Sequence, residues 1–172
     1  MSQSPWTVPV IEPLPLQIRR AVPSEAPTLT TLCRAAKRHW GYPDEWMDAW
    51  ADTVRVTPAA IRSQLIFVAC GAGDPAPVGF FGLRREGSQW CLEHFWVTPA
   101  QIGRGVGRAM FGLALATARR NGARELQIKS DPNAEGFYRR MGARRVGEQR
   151  YLLLEKYPRE LPLLVVDVSP AS

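Results

Sequence analysis

The sequence predicts an α/β domain in which a mixed, mostly antiparallel sheet of six to seven strands is flanked by about four helices. Apolar residues repeat at helical spacing along 26–36 and again along 106–117. Between these helices lie three strand-like runs, LIFVAC (65–70), VGFFGLRRE (78–86) and WCLEHFWV (90–97), joined by short turns. Strand and helix patterns then alternate towards the C-terminus, as expected for a layered α/β domain.

Length and composition are those of one domain with a substantial core. The chain has 172 residues, of which 45% are hydrophobic and 22% charged. No apolar run approaches the roughly 20 residues that a membrane helix requires. The first residues lack a basic segment followed by an apolar one, so we expect no secretory signal and a cytoplasmic protein. Three widely spaced cysteines fit a reducing compartment, and with only two histidines they predict no metal site.

The net charge of +6 suggests an anionic partner, either nucleic acid or a small molecule that carries phosphate. Aromatic RNA-binding motifs and blocks of five basic residues are absent, and the arginines are spread over many predicted elements. Nucleic acid is therefore the less favoured partner.

The first half of the chain predicts an extended arm over 1–15 and one domain over 16–172. A short strand over 16–22 precedes a helix that begins at Ser24, its N-cap, and ends near Arg38. Two further helical turns follow, over 44–53 and after Thr57, which caps a turn with proline at its first position.

The second half predicts a helix over 105–121, a strand over 125–130 and a helix over 132–143. Two last strands follow, over 144–157 and 161–168.

The most informative segment is FWVTPAQIGRGVGRAMF (95–111), in which a strand ends and glycines precede a helix. Glycines allow positive φ and close approach of a ligand, and a helix N-terminus presents unpaired N–H groups and partial positive charge. Together they predict a pyrophosphate site, with Arg104 and Arg108 at its rim. The spacing matches neither the nucleoside-triphosphate loop nor the dinucleotide fingerprint.

Two motifs resemble the GNAT superfamily of acyl-CoA-dependent N-acetyltransferases. VTPAQIGRGVG (97–107) is similar to the acetyl-CoA signature [Q/R]-x-x-G-x-[G/A], with Gly105 and Gly107 at its glycine positions and Ile102 at its polar one. SDPNAEGFYRRMGARRVGE (130–148) is similar to the second family motif. The resemblance covers about 16–168 and implies the GNAT fold, in which the strands before and after the glycine loop splay apart.

The resemblance also implies a set of cofactor contacts. The backbone of Phe95, Trp96 and Val97 would bind pantetheine, and Asn133 and Tyr138 would face the thiol end of acetyl-CoA. The backbone that would bind the pyrophosphate comprises Ile102, Gly103, Arg104, Gly105, Val106, Gly107 and Arg108.

Acyl transfer to an amine requires a base for the ammonium proton and benefits from an acid at the leaving sulfur. Tyr138 is the predicted acid, by resemblance. Glu93 is the predicted base, because a carboxylate within an apolar strand is unusual. His94 is the alternative; ideal alternation places it on the opposite face, and a bulge would exchange the two. Cys91 lacks an activating partner, which disfavours a covalent acyl-enzyme.

HWGYPDEWMDAW (39–50) predicts part of the acceptor site, since aromatic rings beside carboxylates suit a cationic amine. Trp40 and Tyr42 are the predicted acceptor-binding residues, with a carboxylate from Asp44 or Glu45. Trp46 and Trp50 are expected to pack in the core.

The sequence therefore predicts direct acetyl transfer from acetyl-CoA to an amine of a small molecule or peptide. A non-catalytic acyl-CoA-binding module and, less favoured, a nucleic-acid-binding protein are the alternatives, and a homodimer is left open.

Overall fold

The computed structural model describes residues 15–169 as a seven-stranded sheet with helices on both faces. The strands are β1 (Leu16–Arg20), β2 (Leu65–Gly71), β3 (Pro77–Glu86), β4 (Gln89–Val97), β5 (Glu125–Lys129), β6 (Arg144–Leu153) and β7 (Tyr157–Asp167). The helices are α1 (Ala26–Arg38), α2 (Asp44–Ala49), α3 (Pro58–Ser63), α4 (Val106–Arg120) and α5 (Glu135–Arg140). None of the helices described is long and apolar enough to cross a membrane.

The sheet order is β1-β2-β3-β4-β5-β7-β6, and every pairing except β4 with β5 is antiparallel. The parallel pair is short, because β4 contacts β5 only from Trp90–Leu126 to Leu92–Ile128. Beyond that point the two strands diverge, which confirms the splayed centre that the resemblance implied.

Two apolar cores lie on opposite faces of the sheet. The core under α4 and α5 contains Phe81, Phe111 and Leu126, all fully buried. The core under α1, α2 and α3 contains Leu29 and Met47, also fully buried. The helix α1 follows its predicted pattern, since its buried residues are Ala26, Leu29, Leu32, Cys33 and Ala36.

Two local expectations need correction. Ser24 is not an N-cap: it lies inside a 3₁₀ turn at Pro23–Glu25, and the Glu25 carboxylate takes the Val22 N–H at 2.8 Å instead. The last hairpin turns at Leu154 and Glu155, both with positive φ, rather than at 158–160. Pro158 is tolerated inside β7, because β5 flanks β7 only from Leu163 onward.

Thr57 caps α3 as predicted, accepting a hydrogen bond from the Ala60 N–H at 3.1 Å. The predicted arm over 1–15 lies almost entirely outside the described residues, so it stays a prediction.

Candidate acetyl-transfer site

The divergence of β4 from β5 opens a gap at the centre of the sheet. From Glu93 to Val97, β4 keeps β3 on one side and has no strand among the described residues on the other. Unpaired strand backbone at this edge can pair with the amides of an extended ligand arm. The predicted pantetheine-binding residues, Phe95, Trp96 and Val97, lie along this edge.

The glycine segment lies at the end of β4 and leads into α4. Gly103 and Gly105 have φ of +79° and +84°, a conformation that favours glycine. No acceptor in the described residues takes the N–H groups of Val106, Gly107 and Arg108, the first three of α4. These donors and the helix dipole fit a pyrophosphate, so the local geometry is compatible with CoA.

Ile102 and Gly107 have different roles in this segment. Ile102 is 43% exposed at the position where the family carries a polar side chain, so only backbone is offered there. A Cβ added at Gly107 would lie 3.4 Å from the Phe137 ring, an ordinary van der Waals distance, so α4 faces α5 at this position.

A β-bulge in β4 places both candidate bases on one face of the sheet. Gly82 pairs with His94 and Leu83 pairs with Leu92, so Glu93 is the extra, unpaired residue. Ideal alternation would have put His94 opposite Glu93, and that expectation was wrong. Both side chains line the same cavity.

The two candidate bases differ in burial and partners. The Glu93 carboxylate is half-exposed and forms an ion pair with Arg84 at 3.0 Å, and Arg84 also pairs with Glu86. His94 is buried against the Phe80 ring, and burial lowers the pKa of its imidazole, so it is neutral at pH 7. Either group can accept a proton from this face.

Tyr138 lies at the inner end of the cavity, packed among the rings of Phe95, Phe111 and Phe137. Burial raises the pKa of its phenol, so the hydroxyl stays protonated at neutral pH. No described group hydrogen-bonds this hydroxyl, which leaves it available as a proton donor.

One cavity of about 490 Å³ joins these groups. It reaches from Tyr138 and Phe95 in the gap to Trp40 and Trp50 on the α1–α2 side. The sheet face below carries Cys91, whose thiol pKa is raised by burial. A protonated thiol is a poor nucleophile, which agrees with the expectation for Cys91.

Of the two predicted acceptor-binding residues, one lines the cavity and the other does not. Trp40 lines the cavity and is 39% exposed. Tyr42 is not among the lining residues; its hydroxyl donates to Asp131 at 2.9 Å and accepts from Asn133 at 2.9 Å and from Arg159 at 3.1 Å. Burial raises the pKa of Tyr42 to about 12.

The carboxylates predicted to accompany these rings lie elsewhere. Asp44 pairs with Arg38, and Glu45 pairs with Lys156 at 2.9 Å, away from the cavity. Asn133, predicted to face the thiol, donates its amide to Tyr42 and Asp131.

Sequence reasoning missed the buried pair Lys37–Asp131. The Lys37 ammonium lies 3.1 Å from Asp131 and 3.9 Å from the centre of the Trp50 ring. Burial lowers the pKa of Lys37, an effect that Asp131 partly offsets. Burial opposes ionisation of Asp131 too, but Lys37 and hydrogen bonds from Asn133 and Tyr42 hold its pKa below the usual value. In the sequence, the one available signal was a lone lysine near the end of an otherwise amphipathic helix.

A family model for the acetyltransferase (GNAT) family matches residues 28–143. The chain belongs to this family. It is an acetyltransferase of the GNAT type, and the co-substrate of this family is acetyl-CoA. No curated protein shows significant sequence similarity to it.

Solved structures share the fold at low sequence identity. A GCN5-related N-acetyltransferase from Rhodopseudomonas palustris has a TM-score of 0.74 and 21% identity, covering 94% of this chain and 99% of its own. PaiA N-acetyltransferase from Thermoplasma acidophilum, solved with coenzyme A, has a TM-score of 0.73 and 14% identity over 88% of this chain and 98% of its own. An aminoglycoside 6′-N-acetyltransferase complexed with coenzyme A has a TM-score of 0.67 and 15% identity, over 91% and 99%.

Proposed function

We propose that this GNAT acetyltransferase transfers the acetyl group directly to an amine of a small molecule or peptide, with both substrates bound at once. The observation that carries the proposal is the cavity of about 490 Å³, whose lining runs from Phe95 and Tyr138 in the gap beside β4 to Trp40 on the α1–α2 side. Its lining therefore offers contacts to an acetyl donor in the gap and to an acceptor on the α1–α2 side. Two structural neighbours were solved with coenzyme A, which supports the binding of this co-substrate.

Acetyl-CoA supplies the acetyl group as a thioester, and the chain supplies binding and proton transfer. Backbone N–H groups from Ile102 to Arg108 would hold the pyrophosphate, and the free edge of Phe95, Trp96 and Val97 would hold the pantetheine arm. With the co-substrate held in this way, its thioester would lie in the gap that Tyr138 and Phe95 line.

Proton transfer then falls to two side chains. Glu93 removes the proton from the acceptor ammonium, directly or through water, and the neutral amine forms the new C–N bond. Tyr138 donates its phenolic proton to the departing sulfur as the C–S bond breaks. The second amine proton, released as the amide forms, returns through water to the Tyr138 phenolate, and Glu93 gives its proton to solvent, so both groups are restored. His94, on the same face, is the alternative base.

Release of free thiol from acetyl-CoA, measured with a panel of amines, tests this function. We expect release that depends on the amine and equals the acetylated product. CoA binding without amine-dependent release would instead favour the non-catalytic module, for which the apolar Ile102 at a polar family position is the supporting observation.

A further inference from the structure

We propose that the acceptor is a primary amine with a single positive charge and an apolar body, and that polyamines and aminoglycosides are poor acceptors. The inference rests on the proposed function and concerns the acceptor end of the same cavity. Such an amine occurs in small arylalkylamines and at the N-terminus of peptides that begin with an apolar residue. Both sources share the chemistry that the cavity would recognise.

The balance of charged side chains that line the cavity favours an acceptor with one ammonium group. Its carboxylates and its cations are equal in number: Glu86, Glu93 and Asp131 against Lys37, Arg84 and Lys129. Asp131 is neutralised by Lys37, whereas Glu86 and Glu93 share the single guanidinium of Arg84. Glu86, Arg84 and the proposed base Glu93 together therefore carry one net negative charge. Lys129, on the facing strand, has no ion-pair partner among residues 15–169 and repels further positive charge.

Three rings on the α1–α2 side, those of Tyr42, Trp46 and Trp50, already lie against cations of the chain itself. Lys37 lies over Trp50, and the Arg159 guanidinium lies 4.8 Å from the centre of the Trp46 ring and 5.1 Å from that of Tyr42. Lys37 and Arg159 both lie near the rings of Tyr42 and Trp50, so an acceptor ammonium would compete with the chain's own cations at these rings. This arrangement opposes the expectation that Tyr42 binds a cationic acceptor. The rings of Trp40, Trp96 and Tyr151 line the cavity, and no cation among residues 15–169 lies over them.

An apolar stripe forms the floor of the cavity. Leu161, Leu163 and Val165 alternate along β7, so their side chains share the face that lines the cavity. Val165 is already buried, whereas Leu161 and Leu163 lie outside both apolar cores and remain partly exposed. Apolar side chains that line a cavity without packing in a core would gain burial from an apolar ligand.

The first test compares kcat/KM of the wild-type protein for 2-phenylethylamine, ethylamine, the tripeptide Phe-Ala-Ala and spermidine at low ionic strength. We expect 2-phenylethylamine or the tripeptide to exceed both ethylamine and spermidine by at least roughly 10-fold, the scale of apolar pocket discrimination. If 2-phenylethylamine is preferred, the acceptor is a small arylalkylamine; if the tripeptide is preferred, it is a peptide N-terminus. Spermidine as the best acceptor would overturn the inference while leaving the proposed function intact. Absence of transfer to every amine would instead contradict the proposed function.

Two variants test the structural basis. Leu163→Ala should lower kcat/KM for the preferred apolar acceptor roughly 10-fold more than it lowers kcat/KM for ethylamine. The matched control is Leu152→Ala, at a leucine that is 60% exposed on β6 and lies outside the cavity; this change should alter kcat/KM for neither amine.

Lys129→Glu tests the charge. It should raise kcat/KM for spermidine relative to that for 2-phenylethylamine. Equal losses for both monoamines in folded Leu163→Ala, or an unchanged spermidine ratio in Lys129→Glu, would contradict the inference.

Discussion

At the scale of single residues, Tyr138 has the clearest chemical assignment. Its hydroxyl stays protonated because burial raises its pKa, and it faces the cavity from within an aromatic cluster. Tyr138→Phe should therefore lower kcat roughly 100-fold, the range for loss of general-acid catalysis, and leave CoA affinity unchanged. Steady-state kinetics and calorimetric CoA titration measure the two effects. Tyr157→Phe, which loses a hydroxyl that donates to Glu45 outside the cavity, is the control.

The two candidate bases can be separated by pH. Glu93→Gln should abolish the acidic limb of the kcat/KM profile, whereas His94→Gln should preserve it. If His94 is the base, the limb lies below the ordinary histidine value of 6.5, because burial favours the neutral imidazole. A limb that survives in Glu93→Gln and disappears in His94→Gln would assign the base to His94.

Each charge of the buried Lys37–Asp131 pair should need the opposite charge of its partner for the protein to remain stable. Both side chains are mostly buried, with 12% and 15% of their surfaces exposed. Asp131→Asn alone leaves the ammonium without its counter-charge and should lower the free energy of unfolding by about 3–5 kcal/mol. The double variant Lys37→Met, Asp131→Asn should recover most of that loss. Urea unfolding of the two variants measures both values; equal losses in the single and double variants would contradict compensation.

At the scale of elements, the start of α4 depends on backbone conformation more than on side chains. Gly105 has open space for a Cβ but a φ of +84°, so Gly105→Ala should cost about 1–2 kcal/mol of stability. The same change should weaken CoA binding several-fold by displacing the first N–H groups of α4. Gly112→Ala, at an exposed position inside α4, is the control: it should stabilise by about 0.5–1 kcal/mol. Calorimetry that shows unaltered CoA affinity in Gly105→Ala would contradict a pyrophosphate site here.

At the scale of elements, the bulge at Glu93 is a feature that alternation in the sequence does not predict. Alternation in WCLEHFWV predicts the strand and its two faces, but an inserted residue changes which face each later side chain occupies. That shift depends on how β4 pairs with β3, and therefore on contacts distant in sequence. The turn at Leu154–Glu155 was missed for a similar reason, since neither residue is typical at positive φ.

At the scale of the whole molecule, the sequence predicted the α/β class, the strand order along the chain and the glycine segment before α4. Those features arise from local periodicity and from backbone requirements that residue types reveal. The acceptor end was less predictable, because Lys37, Asp131 and Arg159 come from three distant parts of the chain. Only the folded sheet brings these residues against the rings of the 39–50 segment.

The central claim is that the acetyl group passes directly from acetyl-CoA to an amine held in the same cavity. Initial velocities measured over a matrix of acetyl-CoA and 2-phenylethylamine concentrations test it most directly. Direct transfer predicts double-reciprocal lines that intersect, because both substrates must be bound before either product leaves. Parallel lines, together with an acetyl group recovered on Cys91, would show a covalent acyl-enzyme and contradict the claim.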